Sequence, residues 1–137
     1  MSGRKQPRTD GPRALRVLLF HEDEESIAEF LSDLLKEGFE VRPARSFIDA
    51  APLLVGNHVD VLLIYLPQIE WMQRAVFHEI RRVNAKLPIV AIAPTLSSSL
   101  TEQLRRMDVI HALATSVDRP VLLEALREAA GAESRAE

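Results

Sequence analysis

A short acidic cluster follows the first apolar run of the chain. The run RVLLF is followed directly by His21, Glu22, Asp23 and Glu24. Carboxylate oxygens are the ligands that Mg²⁺ prefers, so one interpretation of this cluster is a weak cation site. The alternative is a solvated loop, because acids also favour the N-terminus of a following helix through the helix dipole. We favour the solvated loop.

Other motifs that carry chemistry are missing from the sequence. It has no cysteine, which excludes a disulfide framework, thiolate metal sites and cysteine nucleophiles. The four histidines (His21, His58, His78 and His111) are scattered, and no two have the spacing of a helical metal-binding pair. The P-loop, dinucleotide-binding and nucleophile-elbow motifs do not occur. We therefore expect no catalytic residue, no metal and no cofactor, and we do not expect an enzyme.

The composition indicates one globular domain. The chain has 137 residues, of which 47% are apolar and 27% charged, a balance typical of a globular protein. No apolar run approaches the ~18 residues needed to span a membrane, and the polar N-terminus lacks a signal-peptide core. We therefore expect a cytoplasmic protein without a membrane partner.

Charge and composition divide the chain into three parts. Residues 1–14 form a flexible basic leader that is rich in glycine and proline, residues 15–130 form the folded domain, and residues 131–137 form a polar tail. The leader could also be a nucleic-acid arm, but it has no interleaved aromatic residue, so we do not expect a nucleic-acid partner. No output domain is expected after the tail.

Five short apolar runs predict five strands. They are Arg16–Phe20, Phe39–Val41, Val59–Leu66, Pro88–Ala93 and Val109–Ala114. Four of them are nearly continuous runs of valine, isoleucine, leucine and alanine, which is typical of strands that are buried on both faces. The second run is shorter and more polar, as expected for an edge strand.

Helical patterns separate these runs. They cover residues 24–37, 50–56, 71–86 and 97–107, and a last helix follows Asp118 as its N-cap. Gly38 ends the first helix, and Asp49 is the predicted N-cap of the second because it places Pro52 in the first turn. Alternating strands and helices predict a parallel sheet that is covered on both faces, with strand order 2-1-3-4-5.

Four segments resemble landmarks of the receiver domain of two-component response regulators. They are RVLLFHEDEESIAEFLSDLLKEGFEV, VDVLLIYLPQ, LPIVAIAPT and LATSVDRPVLLEAL, and the resemblance covers about residues 16 to 129. It implies a flavodoxin-like (βα)5 fold. In this family an acidic pair after the first strand holds Mg²⁺, and an Asp that ends the third strand accepts a phosphoryl group. A Ser or Thr ends the fourth strand, and a Lys followed by a cis-Pro ends the fifth.

This sequence departs from the family at each of these positions. His21 and Glu22 fall on the acidic pair, and Tyr65 falls on the phosphoacceptor Asp. Ala93 falls on the hydroxyl position and Thr115 on the Lys. An acyl phosphate needs a carboxylate, and a phenol is a poor nucleophile without an activating base. The resemblance therefore implies a degenerate phosphorylation pocket, in which no catalytic residue remains.

The predicted function is that of a pseudo-receiver in a bacterial two-component or phosphorelay pathway, acting by phosphorylation-independent protein–protein interaction. The expected partner is another signalling protein (a kinase, a receiver or an effector) or a second copy. Two alternatives stay open, namely an atypical regulator that is still phosphorylated, for example on Asp23, and a module that binds a small ligand in the vacated pocket. Family members usually bind partners through the fourth helix, fifth strand and fifth helix, which here would include Arg105, Arg106, Asp108, Ala112, Arg119, Val121 and Arg127.

Overall fold

Strands and helices alternate along the described part of the chain. The structure, a computed structural model, describes residues 14–21, 24–56, 58–66 and 71–135, and of residues 24–27, 71–73 and 132–135 it describes the backbone alone. The strands in these ranges are β1 (Arg16–Phe20), β2 (Glu40–Ala44), β3 (Val61–Tyr65), β4 (Ile89–Ala93) and β5 (His111–Ala114). The helices are α1 (Glu24–Lys36), α2 (Phe47–Val55), α3 (Trp71–Val83), α4 (Ser98–Arg106) and α5 (Arg119–Arg135).

The strands form one parallel sheet in the order β2-β1-β3-β4-β5. This order confirms the prediction made from the sequence. The register aligns the strand ends, since Phe20 pairs with Ile64 and Tyr65 pairs with Ile92. The carboxyl ends of all five strands therefore meet at one edge of the sheet.

Two apolar clusters cover the two faces of the sheet. Successive strand residues point to opposite faces, so Leu62 and Ile64 pack against α2, α3 and α4 in what we call the α2–α4 cluster. Val61 and Leu63 pack against α1 and α5 in the α1–α5 cluster. Three residues of α5 are fully buried there, namely Leu122, Leu126 and Ala129. Phe77 of α3 is buried in the α2–α4 cluster.

Local signals set the ends of most helices. The backbone after α1 turns at Gly38, whose φ of 90° is readily adopted only by glycine. Ser97 caps α4, and its side chain accepts a hydrogen bond from the backbone N–H of Leu100 at 3.0 Å. The helix α5 begins directly after Asp118, as predicted, and continues to Arg135, so that the first residues assigned to the polar tail are helical.

The predicted start of α2 is wrong. Its N-cap is Ser46, whose hydroxyl accepts from the backbone N–H of Asp49 at 3.2 Å, so Asp49 lies within the first turn. Pro52 consequently lies inside the helix and has no N–H for the carbonyl of Ile48. Both residues are exposed, so water can satisfy that carbonyl, and the helix tolerates the proline.

Two other boundaries differ from the prediction by three residues. The strand β2 extends to Ala44, because as an edge strand it needs no continuous apolar run and can hold the exposed Pro43. The helix α3 ends at Val83, where the prediction continued it to residue 86.

A partly buried ion pair joins the amino ends of the two central strands. Asp60 accepts three hydrogen bonds from Arg16, namely from the backbone N–H at 2.9 Å, from Nε at 3.3 Å and from Nη2 at 3.0 Å. The backbone N–H of Asp60 donates to the carbonyl of Arg16 at 2.8 Å. The side-chain hydrogen bonds that Arg16 donates to Asp60 raise the pKa of Arg16. A basic group whose pKa rises on folding stabilises the fold below its unfolded pKa, so this contribution is constant at neutral pH and is lost at strongly alkaline pH.

We predict that Asp60→Asn lowers the free energy of unfolding by about 1.5 kcal/mol, because the neutral amide weakens a network of charge-assisted hydrogen bonds. The matched control is Glu40→Gln, which alters the exposed Arg42–Glu40 pair at 3.7 Å and should cost about 0.5 kcal/mol or less. Urea unfolding at neutral pH measures both. Equal losses in the two variants would contradict the role of the Arg16–Asp60 pair.

Candidate functional site

Backbone hydrogen bonds continue past the ends of the strands at the carboxyl edge of the sheet. The N–H of His21 donates to the carbonyl of Ala44 at 2.9 Å, and the N–H of Thr115 donates to the carbonyl of Ala93 at 2.8 Å. Between these two, Leu66 donates to the carbonyl of Ile92 at 2.8 Å. The residues that follow β1, β3 and β5 are therefore held in a row along this edge, where parallel sheets bind their ligands.

Four of the five predicted pocket residues lie along this edge. His21 is buried, with 2% of its surface exposed, and Ala93 is fully buried. Tyr65 is half-buried and packs against the α1–α5 cluster, while Thr115 is half-buried at the end of β5. Glu22 lies outside the described residues. The assignment of these five residues to a degenerate phosphorylation pocket stays a prediction.

The side chains described at this edge offer few ligands for a cation. Within the described ranges, no group of three or more His, Asp or Glu side chains could hold a metal ion. The acidic cluster falls outside this test, because Glu22 and Asp23 are not described and only the backbone of Glu24 is described. The described side chains at the carboxyl edge thus offer an imidazole, a phenol, a methyl group and a hydroxyl.

Part of the predicted interaction face is exposed around α4 and β5. Arg105 and Arg106 project from α4, and both pair with Glu102, at 3.4 Å for Nε of Arg106. Asp108 follows α4 with a φ of 63°, and it is exposed. Ala112 of β5 is half-buried against the α2–α4 cluster. On the opposite side of β5, Val121 of α5 is 48% exposed.

Two residues assigned to that face contact α1 and the residue that follows it. Arg119 donates from Nε to Asp33 of α1 at 2.6 Å, and its guanidinium lies 4.3 Å from the centre of the Phe30 ring. Arg127, two helical turns later, pairs with Glu37 at 3.7 Å. Both arginines therefore join α5 to the end of α1, and their assignment to the interaction face stays a prediction. Helical spacing on α5 places them on one side, but the sequence could not identify α1 as their partner.

Sequence reasoning missed a contact between β5 and α5. Nε2 of His111 lies 2.7 Å from Oε1 of Glu128, and the two side chains are 31% and 59% exposed. Ile110, directly before β5, is 44% exposed. A signal was present, because a histidine inside the run VIHALA is typical of an edge strand with one face near water. The β5 edge of the sheet thus carries both polar and apolar exposed groups.

None of the described helices is long and apolar enough to cross a membrane.

Many solved structures with the same fold are response regulator receiver domains. One is the receiver domain protein (CheY-like) from Methanospirillum hungatei JF-1, with a TM-score of 0.74 and 14% identity over 90% of this chain and 99% of that chain. Another is a response regulator from Desulfuromonas acetoxidans, with a TM-score of 0.69 and 23% identity over 83% of this chain and 94% of that one. A third is the chemotaxis protein CheY4 of Vibrio cholerae, with a TM-score of 0.71 and 16% identity over 85% of this chain and 98% of that chain.

These likenesses establish the flavodoxin-like receiver fold that the sequence predicted. No protein-family model matches this chain. No curated protein matches it in sequence. Identities at this level carry the fold alone, so the site must be interpreted from this chain's own residues.

We predict that Arg119→Ala lowers the free energy of unfolding by about 1 to 2 kcal/mol, because it removes a charge-assisted hydrogen bond and a cation–π contact. Arg119→Lys should recover only part of this loss, since an ammonium cannot reproduce the planar stacking on Phe30. The control Arg105→Ala removes an exposed ion pair and should cost about 0.5 kcal/mol or less. Urea unfolding compares the three variants, and an Arg119→Ala as stable as Arg105→Ala would contradict the structural role.

Proposed function

We propose that this chain is a signalling module that uses the receiver fold for protein–protein interaction without accepting a phosphoryl group. The observation that carries the proposal is the end of β3, where a phenol stands at the position of the family's phosphoacceptor Asp. No aspartate occurs between Val61 and Glu70, so a shift of the strand by one or two residues would not supply one. An aryl hydroxyl does not form the acyl phosphate on which receiver signalling depends.

The neighbouring positions support the same conclusion. A buried methyl group at Ala93 has no hydroxyl to donate to a phosphoryl oxygen, and Thr115 has no ammonium to neutralise its charge. The half-buried ring of Tyr65 packs against the α1–α5 cluster. These side chains suit a packed edge of the sheet better than a site for a hydrated, doubly charged group.

Signalling in this proposal passes through the surface. The exposed part of the predicted face comprises Arg105, Arg106, Asp108, Val121 and Arg127, with Ala112 and Arg119 half-buried. The partner is another signalling protein of a two-component or phosphorelay pathway, or a second copy of the chain, and the setting is the cytoplasm. No catalytic residue, metal or cofactor is assigned to the chain.

Intact-mass measurement after incubation with acetyl phosphate and Mg²⁺ tests this proposal. We expect no phosphoryl adduct on the unmodified protein, because the edge offers no carboxylate at the end of β3. An authentic receiver domain treated in the same way is the positive control. An adduct on this chain would overturn the proposal, and peptide mapping would identify the accepting residue, with Asp23 as the first candidate.

Tyr65→Asp is the informative companion variant in the same experiment. It restores a carboxylate at the end of β3 and leaves Ala93 and Thr115 unchanged. An adduct confined to this variant would identify Tyr65 as the residue that closes the pocket. If neither protein is labelled, the losses at the other positions are sufficient to prevent phosphotransfer.

A further inference from the structure

A groove lies between α3 and α4, on the face of the sheet that the α2–α4 cluster covers. Its volume is about 320 Å³, and a second depression of about 200 Å³ adjoins it. Three residues line both, namely Arg74 of α3, Arg106 of α4 and Met107 directly after α4. The two depressions therefore form one elongated groove, which is separate from the carboxyl edge of the sheet.

The groove combines an apolar floor with cationic walls. Phe77, almost fully buried, and the half-buried Met107 form the floor. Arg74, His78 and Arg106 are exposed along its walls. Asp108 is the acidic residue among the lining side chains that the structure describes, so the groove carries a surplus of positive charge.

Arg81 holds one end of the groove in place. Its Nη1 donates to the carbonyl of Leu87 at 2.5 Å, and its Nη2 donates to the carbonyl of Asp108 at 2.9 Å. These bonds tie the end of α3 to the segment that follows α4. The hydrogen bonds from the Arg81 side chain to these two main-chain carbonyls thereby fix the width of the groove at this end.

Arg74 and Arg106 have charge available for a ligand. Nη2 of Arg74 donates to the neutral amide of Gln103 at 3.0 Å, and within the described residues its guanidinium pairs with no carboxylate. Arg106 is 77% exposed and shares the carboxylate of Glu102 with Arg105. One carboxylate thus serves two guanidinium groups at the rim of the groove.

We propose that this groove binds an acidic segment of a partner protein, with carboxylates paired to Arg74 and Arg106 and an apolar side chain on Phe77 and Met107. The proposal rests on the proposed function as an interaction module and adds a surface and a partner chemistry to it. A compact inorganic anion would leave the apolar floor uncovered, whereas a peptide covers both the floor and the charges. A second copy has fewer free carboxylates to offer, because its Asp33 of α1 and its Glu37, directly after α1, are already paired with Arg119 and Arg127.

Fluorescence anisotropy with the full chain tests this assignment. The probe is a fluorescein-labelled synthetic peptide of glutamates around a central leucine, and the expected result is saturable binding. Arg74→Glu and Arg106→Glu should each weaken binding by about tenfold or more, as expected when a charge opposite a ligand carboxylate is reversed. The matched control is Arg42→Glu, an equal change of net charge on the exposed edge strand β2, and it should change binding by about twofold or less. Circular dichroism confirms that each variant is folded.

Two variants of the labelled peptide test the cationic walls and the apolar floor of the groove separately. Replacing the glutamates by glutamines should abolish binding, and replacing the leucine by glycine should weaken it, because the floor then stays uncovered. Inorganic pyrophosphate should compete poorly for the same reason. Pyrophosphate that displaces the peptide fully at equal concentration would overturn the peptide assignment in favour of a simple anion site.

Other outcomes also decide the proposal. Absence of binding, or equal weakening by Arg42→Glu and Arg74→Glu, would overturn it. If sedimentation shows a dimer that Arg74→Glu disrupts, the occupant of the groove is a second copy of the chain and not a partner segment. The proposed function is tested separately, since a phosphoryl adduct would refute that function without altering the peptide titration, and a failed titration without an adduct would refute the groove alone.

Discussion

The burial of β3 on both faces is the constraint on which the rest of the structure depends. Leu62, Leu63 and Ile64 have at most 1% of their surface exposed, because β3 lies between β1 and β4 and beneath helices on both sides. A strand in this environment has no position for a charged side chain along its length. Functional groups can therefore enter only where the strand leaves the core, and in this chain the first such residue is Tyr65.

The side chains at that edge have different requirements from those of a phosphorylation site. Clustered carboxylates repel one another and need a cation or a nearby ammonium group to be held close together. Tyr65, Ala93 and Thr115 have no such requirement, and the ring of Tyr65 extends the packing of the α1–α5 cluster. The same sheet can thus be kept without a bound ion, and α3, α4 and α5 carry exposed charged groups that a partner can reach.

The fold was predictable from the sequence to a greater extent than the surface. The bounds of β1 were predicted to the residue because burial on both faces leaves a continuous apolar run, whereas β2, with water on one side, has no such signature. Ser46 was missed as the cap of α2, because Pro52 suggested a later start and the exposure of the helix there is not visible in sequence. The partners of Arg119 depend on how α1 and α5 pack together, and residues 86 positions apart carry no local signal for such a contact.

The edge strand β2 has a consequence for how copies of this chain meet at high concentration. Unpaired N–H and C=O groups along a free strand can recruit a strand from another molecule, which is a common route to aggregation. Pro43 has no N–H to offer, and the neighbouring Arg42 and Glu40 are exposed charges on the same strand. The β2 edge of the sheet is therefore protected against growth by strand addition, and self-association at this edge would have to use side-chain surfaces.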